Sequence, residues 1–116
     1  MDKRIEKLGR LGCDIEGAMK RVLGDEDFYL ECLAEVPTDE SFDILTEALK
    51  NKDAKAAFDR AHALKGVFLN LGLTHMLCKV VELVEPLRDG NCEGLGSSNA
   101  DLLKMRDELA EILVMQ

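Results

Sequence analysis

"DAKAAFDRAHALKGVFLNLG", residues 53–72, decides the fold class. Turned by ~100° per residue, it gathers Ala57, Ala61, Leu64, Phe68 and Leu71 into one arc, the mark of an amphipathic helix from about Asp53 to Leu71. Gly72 ends or kinks it. His62, one of two histidines in the chain, falls almost opposite the centre of that arc. The periodicity therefore predicts an imidazole facing water in mid-helix and speaks against a hydrogen-bonded core histidine.

The same turning sets Lys55, Phe58, Asp59, Lys65, Gly66 and Leu69 around His62. Phe58 and Leu69 are apolar residues on the exposed side, about one turn to either side of the imidazole. They are either covered by a neighbouring helix or form the apolar part of a patch that docks a partner. Gly66 stands in mid-helix, where glycine costs roughly 1 kcal/mol relative to alanine. Its missing side chain leaves room beside the ring for another protein's backbone or a phosphoryl group, or else admits close packing of a neighbouring helix. Lys65 can swing its ammonium toward whatever the ring carries; against a phosphate at ~5 Å the attraction is on the order of 1 to 3 kcal/mol before counterion screening.

Working outward, "NKD" at 51–53 is a tight polar connection that makes its flanking helices antiparallel neighbours. Before it, Thr38 with Asp39 and Glu40 can cap a helix carrying Phe42, Leu45, Ala48 and Leu49. Earlier still, "DEDFYLECLAEV" reads as a helix with acids in its first turn, and Asp14 caps a short helix that Gly24 stops. After Gly72, Thr74 is the candidate cap for "HMLCKVVELVEPLRD", whose Met76, Leu77, Val80, Val81, Val84 and Leu87 form a broad stripe. "DGNCEGLGSSN", Asp89 to Asn99, reads as a flexible loop that matches no phosphate-binding fingerprint, and a last helix runs roughly from Ala100 to Val114. The expected fold is all-α: an antiparallel up-down four-helix bundle with extra short N-terminal helices, a single domain over residues 1–116.

Composition narrows the function classes. A formal net charge of −8 leaves no general basic face for displacing counterions from nucleic acid. No run approaches the ~18 apolar residues of a membrane span, so a cytoplasmic protein is expected. The four cysteines are widely spaced with no CxxC and read as reduced thiols, neither a zinc knuckle nor a redox pair. His75 with Cys78 is half a metal site at best. No Walker sequence or Gly-rich nucleotide fingerprint is present, so autophosphorylation is not expected.

Taken together, "HALKG" and the "NLG" that follows it resemble the signature of the histidine phosphotransfer (HPt) domain family, H-x-L-K-G and then an apolar residue and glycine at matching offsets. His62, Leu64, Lys65, Gly66, Asn70, Leu71 and Gly72 all fit. "DIEGAMKRVLGDEDFYLECL" resembles the family's opening segment, so the similarity runs from about Asp14 to Arg88. The resemblance implies a four-helix bundle in which His62 is the phospho-acceptor, Lys65 its electrostatic partner and Gly66 the space-maker. It also implies that phosphate arrives from, and leaves to, an aspartate on the receiver domains of a hybrid sensor kinase and a response regulator. The chain needs no cofactor of its own on this reading; Mg²⁺ is expected from the receiver. Where the family usually has small residues after the first glycine, this chain has Val67, Phe68 and Leu69. Leu69, on the histidine's side, keeps open a second reading as a receiver-binding adaptor that is never phosphorylated. A third, a small hydrolase or transferase with His62 as general base, would need a pocket and a carboxylate such as Asp59.

Overall fold

Four of the helices begin at an aspartate whose carboxylate takes up a backbone N–H that the first turn would otherwise leave unpaired. Asp2 accepts from Arg4 at 2.8 Å, Asp14 from Gly17 at 3.0 Å, Asp25 from Phe28 at 3.0 Å and Asp53 from Ala56 at 3.2 Å. The computed structural model describes residues 1–115, all helix and connection: α1 (Lys3–Arg10), α2 (Ile15–Arg21), α3 (Glu26–Glu35), α4 (Ser41–Lys50), α5 (Ala54–Leu71), α6 (Thr74–Arg88) and α7 (Gly96–Leu113). The domain expected over residues 1–116 lies within that span save for the last residue, which is outside the described residues.

The histidine helix α5 packs between α4 and α6, and α7 closes against α6 and α4. Ala57, Ala61, Leu64 and Phe68 are fully buried on α5, as its periodicity predicts. They meet Phe42 and Leu45 of α4, Val80 and Val84 of α6, and Leu102 and Leu109 of α7 in one hydrophobic core that also takes in Ile5, Leu8, Ala18, Tyr29 and Leu33 from α1 to α3. The rings of Phe42 and Phe68 stand 6.2 Å apart within it, a favourable tilted pair. All four cysteines are unpaired, as their spacing predicts.

The C-terminal end of α5 is closed by the N-terminal part of the chain. The last carbonyls of a helix have no partner within it. Here the Arg21 guanidinium donates to the Asn70 carbonyl at 2.9 Å, the Tyr29 hydroxyl to Leu71 at 2.7 Å and the Asp14 N–H to Gly72 at 2.8 Å. Gly72 adopts the left-handed conformation, φ +69°, and lies so close to Asp14 that a Cβ there would strike the Asp14 carbonyl. Only glycine meets both conditions.

Several boundaries differ from the sequence reading. Helix α1 is not apparent in "MDKRIEKLGRLG" because only Ile5 and Leu8 turn inward. Thr74 is the first residue of α6 and not its cap: its hydroxyl donates back to the Gly72 carbonyl at 3.3 Å. Thr38 likewise donates to Glu35 behind it, and Asp39 receives the Ser41 N–H at 2.8 Å. The loop expected over Asp89 to Asn99 ends early, since α7 begins at Gly96. Its first turn is held by the burial of Leu95 and Asn99, one helical turn apart, and by a 3.0 Å bond from the Asn99 amide to the Thr46 hydroxyl.

Candidate functional site

His62 lies on the solvent side of α5 and is exposed, about midway along the helix. Phe58, one turn earlier, stacks on it: the ring centroids are 5.5 Å apart and the planes differ by 15°. This spacing of four residues is the one that brings side chains together on a helix face. The guanidinium of Arg88, in the last turn of α6, sits 5.6 Å from the Phe58 centroid, within cation–π range. Arg88 also pairs with Glu85 at 3.6 Å. Phe58 is thus half-buried against the core and topped by a neighbouring helix, whereas Leu69 remains 54% exposed.

Gly66 is exposed, and a Cβ built on it would meet no heavy atom within 4 Å. Close helix packing therefore does not account for this glycine; the space beside it is open. Lys65 is half-buried on the same face. Lys55 and Asp59 are engaged with each other at 3.2 Å, one turn apart, so Asp59 is a paired surface carboxylate. No group of three or more His, Cys, Asp or Glu among the described residues is placed to hold a metal. Cavities of about 650, 420 and 220 Å³ lie elsewhere, the largest an apolar groove between α1 and α2 lined by Ile5, Ile15, Met19 and Leu23. His62 lines none of them.

The second histidine has a different environment. His75 is half-buried, and its Nδ1 lies 3.6 Å from the Cys13 Sγ. Its sulfur neighbour is therefore Cys13, from the turn between α1 and α2; Cys78, three residues along α6, is exposed. Burial pushes the His75 pKa below its ordinary value, partly opposed by the charge of Glu108, and burial raises the Cys13 thiol. Both are neutral near pH 7, which suits packing and not a reactive thiolate.

Sequence reasoning thus brings Lys55, Phe58, Asp59, His62, Lys65, Gly66 and Leu69 onto one face, where the structure also has them. It misses Arg88, which reaches the site from another helix and leaves no local signal. An exposed imidazole flanked by an open glycine and a lysine, outside all three cavities, can offer a ring nitrogen to an incoming phosphoryl group.

Compared with protein families, residues 29–113 match the Hpt domain. The match takes in α7 and leaves α1, α2 and the first turn of α3 outside. Comparison with curated proteins and with solved structures returns no match.

Proposed function

The chain belongs to the Hpt domain family, and on that premise we propose that it is a phosphocarrier in a multistep relay, with His62 accepting a phosphoryl group from a receiver-domain aspartate and passing it to a response regulator. Hpt domains are phosphotransfer modules of two-component signalling and are carriers more than enzymes. The observation that carries the reading is the exposed His62 with open space over Gly66 one turn on.

In the forward step a neutral ring nitrogen attacks phosphorus in line, the P–N bond forms as the acyl P–O bond breaks, and the aspartate leaves as carboxylate. The reverse attack by a second receiver's carboxylate regenerates the imidazole. Lys65 stabilises the charge on the transferred group, and Gly66 leaves room for the partner's backbone. The reading assigns Mg²⁺ to the receiver, whose site is completed on docking. Leu69 and Phe58 supply apolar contact, with Lys55 and Asp59 at its edge. The whole chain acts as one cytoplasmic domain, on the frame of an antiparallel up-down four-helix bundle that the short connections imply.

The test incubates the protein with a phosphorylated receiver and reads acid-labile, base-stable phosphate on wild type, His62→Gln and His75→Gln. Label on wild type and His75→Gln alone supports the carrier. Receiver binding without label on any variant would refute it in favour of a non-phosphorylated adaptor.

A further inference from the structure

An exposed imidazole without a hydrogen bond to its ring swings about two torsions, and misdirected rotamers lower the share of encounters that can react. Among the described residues the hydrogen-bonded ring is that of His75, and His62 makes no such bond. Its contact is instead with Phe58, which stacks on it at 5.5 Å. Phe58 itself packs against the core and has the Arg88 guanidinium of α6 at 5.6 Å from its centroid. Arg88 in turn pairs with Glu85 at 3.6 Å.

From these contacts we propose that Phe58 is a positioning residue for His62, holding the imidazole in one rotamer before a receiver docks, and that Arg88 fixes Phe58 from α6. The proposal rests on the carrier reading and deepens it. Had Phe58 served only as apolar docking surface, nothing would require its plane to lie within 15° of the imidazole's or a cation to lie over its own. Both separations fall where aromatic pairs and cation–π contacts are attractive. A rigid neighbour that sets the attitude of a reacting group is the usual support of a preorganised site.

The experiment compares wild type, Phe58→Leu, Phe58→Tyr and Arg88→Gln in phosphoryl uptake across a range of phosphorylated receiver, and records the His62 ring protons by NMR in the same proteins. Leucine keeps the apolar bulk and removes the stack. Phe58→Leu is expected to lower the rate at saturating receiver about two- to tenfold with the half-saturating concentration unchanged. Phe58→Tyr restores the wild-type rate, and Arg88→Gln lowers it about twofold. The ring-current displacement of the His62 protons is present with Phe or Tyr at position 58 and lost with Leu. A Phe58→Leu rate equal to wild type, or an effect confined to the half-saturating concentration, overturns the positioning role alone. A wild type that takes no phosphate overturns the carrier reading and the positioning role with it.

Discussion

Replacing Gly66 with alanine is expected to stabilise the protein. Glycine in a helix interior is about 1 kcal/mol less favourable than alanine, chiefly because the unfolded chain has more freedom to lose. No collision offsets that gain here, since the added methyl meets no heavy atom within 4 Å. The expected gain is therefore about 0.5 to 1 kcal/mol, or roughly 2 to 6 °C in Tm for a domain of this size. Urea titration followed by helical circular dichroism measures it, with an unchanged m-value showing that the two-state reference is intact. A destabilised Gly66→Ala would refute the reasoning, since it would mean that the fold requires the glycine. The companion variant Gly66→Gln should keep its helical content and slow phosphoryl uptake about 10- to 100-fold, as obstruction at a reacting group does. An unchanged rate would remove the steric role.

Gly72→Ala and Gly90→Ala both place a side chain at positive φ, +69° and +80°, but only at position 72 would the Cβ strike backbone. Urea titration should show a loss of about 1 to 2 kcal/mol at Gly90 and of about 3 kcal/mol or more at Gly72, and equal losses would contradict the close approach to Asp14. Tyr29→Phe removes the bond to the Leu71 carbonyl and should cost about 1 kcal/mol, with faster amide exchange in the last turn of α5; unchanged exchange there would count against the tether. His75 has a folded pKa depressed by burial from its ordinary 6.5. The unfolded chain then binds the proton more readily, so this contribution is whole above pH 6.5 and is lost as pH falls through the folded value. Between pH 7.5 and 5.5 wild type should lose more stability than His75→Gln, and equal losses would dismiss the effect.

The histidine helix was legible because its signal is local: four buried positions at helical spacing place His62 outside whatever packs against them. The features that escaped depend on tertiary context. Helix α1 has a capping aspartate and a basic last turn, but two inward residues do not make a stripe. The start of α7 hides in Gly and Ser because Asn99, polar by composition, is buried against Thr46. The stack on His62 was half legible, since Phe58 sits at the right spacing, but the arginine above it comes from the end of α6. The Cys13–His75 contact joins residues 62 apart in sequence, and "HMLC" suggests the wrong thiol.

The donors that seal the carbonyls of Asn70, Leu71 and Gly72 are Arg21, Tyr29 and Asp14, and the first and last precede residue 29, where likeness to the family starts. A version trimmed to that likeness would keep the histidine helix while stripping two of the three bonds that finish it. The support of α5 therefore reaches further toward the amino terminus than the family match marks out, and changes in those leading residues can alter it without touching the signature.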